Sequence, residues 1–99
     1  MHFIPVTLIN KQELCTDTYE LTFSLPESCE YTCNPGQYIW LILDQLGTID
    51  TKGNRRAFSF SLVAPQEKTF QIIFRRGFSE YKKHLLSLPL GTTLHITPP

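Results

Sequence analysis

The run Arg56-Ala57-Phe58-Ser59 concentrates residue types that could do chemistry. On an extended strand Arg56 and Phe58 project to the same side, because side chains alternate with a period of two. One side thus offers a guanidinium fork suited to phosphate oxygens beside an aromatic plane suited to a flat ring. Ser59 adds a hydroxyl and a backbone N–H; simple alternation turns that hydroxyl to the opposite side, so its use needs a strand end, a bulge or the backbone donor. Gly77-Phe78-Ser79 forms a second candidate, at the start of an expected helix. Free N–H groups and the positive dipole end suit an anion there, and glycine permits close backbone approach. Pro35-Gly36-Gln37-Tyr38 is a third, a turn leading into an apolar strand. Each of these, taken singly, also has an ordinary structural reading as surface arginine, core aromatic, helix start or turn.

Composition narrows the field. The 99 residues carry nine basic and nine acidic side chains, so no cationic surplus points to a nucleic-acid backbone. The pairs Arg55-Arg56 and Arg75-Arg76 remain local anion contacts. Three cysteines, Cys15, Cys29 and Cys33, are an odd number, and His2, His84 and His95 stand at no metal-ligand spacing from them. They read as ordinary thiols, with no metal site. The first residues carry no charged leader and no run long enough to span a membrane, which gives the expectation of a reduced, cytoplasmic protein.

The elements that must position these residues are mostly strands. Residues 3–9 are β-rich, with a turn expected at Asn10-Lys11. Tyr19, Leu21, Phe23 and Leu25 alternate with polar residues, as in a half-buried antiparallel strand. Residues 37–43 are almost continuously apolar and predict a strand covered on both faces, followed by an exposed loop over 44–54. Strands over 57–63, 69–75 and 92–97 complete the set, with a turn at 65–68 between the first two of these. The spacing predicts one helix over about 79–88: Ser79 can cap it, Glu80 suits its first turn, and Tyr81, Leu85 and Leu88 share a face. Pro89 and Gly91 stop it. The expected fold is all-β, a six-stranded antiparallel Greek-key β-barrel with one short helix, in a single domain spanning residues 1–99.

The order Pro35-Gly36-Gln37-Tyr38, Arg56-x-Phe58-Ser59, Ile72-Ile73-Phe74-Arg75 and Phe78-Ser79-Glu80-Tyr81 before a helix resembles the FAD-binding barrel domain of the ferredoxin–NADP reductase superfamily. The resemblance runs from Val6 to the final prolines, and Ser79-Glu80-Tyr81 is similar to the dioxygenase reductases in particular. It implies a flavin, FAD rather than FMN, held by Arg56, Ala57, Phe58, Ser59, Phe74, Arg75, Gly77, Phe78 and Ser79. Arg56 would meet a phosphate and Phe58 the isoalloxazine. Ser59, as the catalytic residue, would hydrogen-bond near the flavin N5, while residues 77–79 would hold the pyrophosphate. The implied activity is electron transfer from NAD(P)H through flavin to an acceptor such as an iron–sulfur or haem protein. The family pattern is not followed at Leu62, where a further serine is usual, nor in the short Arg76-Gly77-Phe78 connection. Thr97-Pro98-Pro99 stands where Gly-Pro-x-Gly and a nicotinamide-binding domain follow, so that domain is expected to be absent from this chain and the isolated barrel inactive alone. A non-enzymatic barrel that uses Arg55, Arg56, Arg75 and Arg76 for another anion or a protein partner is the alternative.

Overall fold

A computed structural model describes residues 3–28, 36–43, 55–64 and 66–97. Cys29, Cys33, Pro35, Pro65, Pro98, Pro99 and the expected loop 44–54 lie outside the described residues. Seven strands and one helix follow in the order β1 (Ile4–Cys15), β2 (Thr18–Ser24), β3 (Tyr38–Ile42), β4 (Arg55–Ser59), β5 (Leu62–Ala64), β6 (Thr69–Arg75), α1 (Glu80–Ser87) and β7 (Thr93–Thr97). All pair antiparallel in one sheet of order β4-β3-β7-β1-β2-β6-β5. The all-β architecture with one short helix is as the sequence predicts.

The count of six strands is corrected to seven. Residues 57–63, read as one strand, change partner in the middle. Phe60 N–H donates to the Gln37 carbonyl at 2.9 Å, on the β3 side, whereas Ser61 N–H donates to the Gln71 carbonyl at 2.9 Å, on the β6 side. The two edge strands of the sheet, β4 and β5, are therefore the two halves of one chain segment, joined by Phe60 and Ser61. The sheet curls until its edges meet at that joint without being closed by a ladder, so "barrel" is an approximation.

The first strand also differs. Residues 4–15 run on through Asn10-Lys11, because both halves find partners: Ile4–Thr7 pairs with β7 and Thr7–Cys15 with β2. Register shifts between Leu8 and Asn10 and between Glu13 and Cys15 let so long a strand bend from one neighbour to the other. The turn falls at Thr16-Asp17 instead. Asp17 has φ 62°, a left-handed conformation that aspartate tolerates better than most residues.

Alternation fills the interior with Val6, Leu8, Leu21, Phe23, Ile39, Leu41, Phe70, Ile72, Leu94 and Ile96, and α1 adds Tyr81 and Leu85. Phe70 stacks on Phe23 at 5.3 Å between ring centroids and meets Phe60 edge-on at 4.9 Å. Strand β3 is not covered on both faces as its composition predicts. Ile39 and Leu41 are buried, but Tyr38 is exposed and Trp40 and Ile42 are half-buried on the other side. Phe70→Ala would leave a cavity at the joint of the sheet and is expected to cost about 3–5 kcal/mol, read as a lower urea midpoint in chemical unfolding.

Candidate functional site

Strand β4 divides its residues between two faces. Arg56 and Phe58 pair across the sheet with the buried Leu41 and Ile39 and turn inward; Arg55, Ala57 and Ser59 turn outward, opposite Ile42, Trp40 and Tyr38. The Phe58 ring is only 8% exposed and packs on Phe74 at 5.4 Å and on Tyr81 at 6.2 Å. The Arg56 guanidinium lies over the Tyr81 ring at 4.9 Å and donates from Nη1 to the Arg55 carbonyl at 2.8 Å. Lys82 Nζ sits 5.7 Å from the centre of the Phe74 ring and donates to the Arg75 carbonyl at 2.9 Å. Arg56 and Phe58 thus meet the buried ring of Tyr81 on α1, Phe74 joins them through Phe58, and the Arg75 side chain lies on the other, exposed side of β6.

The start of α1 is built as its sequence predicts. Ser79 is the N-cap, its Oγ accepting from Lys82 N–H at 3.2 Å. Ahead of it Gly77 has φ 56°, the left-handed region open to glycine at little cost. This loop is tethered to the β1–β2 turn. Gly77 N–H donates to Asp17 Oδ2 at 3.0 Å, Arg76 N–H to the Asp17 carbonyl at 3.0 Å, and Arg76 Nε lies 3.1 Å from Asp17 Oδ1. The Gly77 amide is therefore committed to a carboxylate of the chain itself. Phe78 projects outward at 95% exposure, away from the Tyr81 cluster. The four arginines do not gather into one patch: Arg55 is held over Trp40 at 5.3 Å on the outer face and Arg76 is paired with Asp17.

Ala57 and Ser59 border a shallow recess of about 400 Å³ with Tyr38, Trp40 and Phe58. Tyr38 and Trp40 meet at 83° with centroids 6.4 Å apart, which makes a corner with an indole face and a phenol edge. Gly36, with φ 81°, provides the left-handed turn that brings the chain into this strand. Composition hid Trp40, since a continuous apolar run reads as buried; its place opposite Ala57 becomes visible only once β3 and β4 are paired. Tyr81 was visible as a core-facing helix position but not as the ring beneath Arg56. Among the described residues no group of three or more His, Cys, Asp or Glu side chains is arranged to hold a metal ion. No helix among them is long and apolar enough to cross a membrane.

Burial pushes the Tyr81 phenol far above the ordinary tyrosine range, and the Arg56 charge only partly opposes this. The folded chain thus keeps this proton at pH values where the unfolded chain releases it. Its contribution to stability is complete below about pH 10 and declines above it, by about 1.4 kcal/mol per pH unit. Urea unfolding measured from pH 9 to 11.5 is expected to show that decline, and Tyr81→Phe to flatten the tyrosine part of it.

No protein-family model and no curated protein sequence matches the chain. Solved structures do. The ferredoxin reductase of carbazole 1,9a-dioxygenase superposes with a TM-score of 0.76, with 17% identity over 99% of this chain and 28% of its own. A siderophore-interacting protein from Aeromonas hydrophila gives 0.74 with 18% identity, over 98% of this chain and 42% of its own. A flavohemoglobin from Malassezia yamatoensis, solved with bound FAD and heme, gives 0.61 with 15% identity, over 100% of this chain and 25% of its own. The chain spans from a quarter to about two-fifths of the length of these proteins. At such identities the likeness establishes the fold alone, one that this chain shares with part of a ferredoxin reductase and part of a siderophore-interacting protein.

Proposed function

We propose that this chain is the flavin-binding part of an NAD(P)H-dependent oxidoreductase, with FAD as the flavin. The observation that carries the reading is the meeting of Arg56, on the edge strand β4, with the ring of Tyr81 in the first turn of α1, so that a guanidinium stands beside a helix start. The donor set suits a flat ring that bears phosphate. A guanidinium and a helix N-terminus are phosphate partners, and the Tyr38–Trp40 corner with Ser59 offers aromatic surface beside a hydroxyl. Likeness in fold to a ferredoxin reductase and to an FAD-containing flavohemoglobin supports the same choice.

Within this reading Arg56 binds phosphate oxygens, and Phe78 and Ser79 offer backbone N–H groups at the helix start, while the Arg75 side chain, on the outer side of β6, does not face Arg56. Gly77 gives the turn its shape rather than a donor, since its amide already serves Asp17. Ala57 leaves room beside Trp40 for a ring. Ser59, exposed at the end of β4, presents its hydroxyl for the ring nitrogen that exchanges hydride. Phe58, largely enclosed by Phe74 and Tyr81, touches the ligand only where it forms part of the recess and otherwise holds β4 against the core. Bound here, a flavin would supply the exchange between a two-electron nicotinamide donor and a one-electron acceptor such as an iron–sulfur or haem protein. The nicotinamide-binding unit, the acceptor and a cytoplasmic setting belong to the proposal for the whole protein.

Titration of the purified chain with FAD, followed by quenching of flavin fluorescence, is expected to show saturable binding. Arg56→Ala removes a charged hydrogen-bond donor and is expected to weaken binding roughly 10- to 100-fold. A folded wild-type chain that leaves FAD and FMN fluorescence unchanged at high concentration, or an Arg56→Ala variant that binds like wild type, would sink the reading.

A further inference from the structure

Tyr81 is fully buried on α1, yet its hydroxyl reaches across to the sheet and donates to the carbonyl of Leu41 on β3. Leu41 is the residue directly opposite Arg56 in the β3–β4 ladder. The helix is thereby pinned to the strand beside the one that carries the arginine, at the arginine's own level. The pin fixes the phenol ring, and the guanidinium lies over its face with Cζ 4.9 Å from the centroid. Phe58 stacks on the same ring at 30° and 6.2 Å, which keeps the ring from tilting. The arginine is further steadied by its own Nη1 bond to the Arg55 carbonyl, at 2.8 Å.

We propose that Tyr81 is a positioning residue for Arg56: its ring, anchored through the Leu41 carbonyl, holds the guanidinium ready for the phosphate of a bound ligand. This rests on the reading that Arg56 meets a flavin phosphate. An arginine ordinarily loses rotamer freedom when it grips an anion, and one already laid on an aromatic face loses less. The charge of the arginine also lies against the negative face of the ring, so the arrangement is attractive before any ligand arrives.

Two measurements test it. In the wild-type chain, the Arg56 Nε–Hε signal, assigned by its loss in Arg56→Ala, is expected upfield of the free-arginine position and to report a restricted side chain. A signal with free-arginine shift and mobility would overturn the proposal without any change to the core. Affinities for FMN and for phosphate-free riboflavin are then compared by fluorescence quenching. Tyr81→Leu is expected to reduce the preference for FMN over riboflavin by roughly threefold to tenfold while leaving riboflavin affinity in place. Tyr81→Phe, which keeps the ring face and loses the pin, should fall between wild type and Tyr81→Leu. A Tyr81→Leu chain with undiminished FMN preference overturns the role of Tyr81 alone. An Arg56→Ala chain with undiminished preference overturns the underlying reading of Arg56 instead.

Discussion

The change of partner at Phe60-Ser61 is the constraint on which the rest of the molecule depends. Because β4 and β5 are successive pieces of one segment, a sheet with β4 at one edge and β5 at the other must curl until those edges touch. Curling turns one face of every strand inward and gives the alternating apolar residues a common interior. It also fixes which way β4 faces. Arg56 and Phe58 point toward the end where α1 lies, and Ala57 and Ser59 point out beside Trp40. A single two-residue joint therefore sets Arg56 and Phe58 against the helix and leaves Ala57 and Ser59 beside Trp40, on opposite sides of one strand.

The interior end of the site is organised around aromatic rings rather than around charges. Phe74, Phe58 and Tyr81 form a chain of contacts, with Lys82 on the first ring and Arg56 on the last. Cations on aromatic faces keep their charge while giving up part of their hydration. The ion pairs Arg76–Asp17 and Lys83–Glu80 are partly exposed, which makes them weak contributors.

Much of this is legible in the residues, and what is not has identifiable causes. The helix start is local chemistry: a serine cap, an acidic first turn and a glycine before it can be read without knowing the fold. The alternation from Tyr19 to Leu25 is local too, and its Leu21 and Phe23 are fully buried, although Thr22 between them is largely covered as well. The division of residues 57–63 into two strands depends on a switch of partner from β3 to β6, and no period in the sequence marks it. Likewise Asn10-Lys11 has turn-forming composition, but hydrogen bonds to two different strands carry the chain through it. For Phe58 the pattern gives the correct side of the strand, shared with Arg56. Whether that side meets a ligand or the core is decided by Phe74 and Tyr81, which come from elsewhere in the chain.

Helix α1 has eight residues, too few to persist on its own in water. It lies along the β1–β2 hairpin and is fastened at both extremities. Asp17 binds the loop before it, 60 positions away from Gly77, and Lys11 Nζ donates to the carbonyls of Leu86 and Leu88, 75 and 77 positions away. These closures span most of the chain, and long closures come late and carry a large entropic cost. The hairpin acts as a mould for the helix. During synthesis the hairpin can pair before the helix it shapes has emerged, so the helix folds onto a surface already waiting for it.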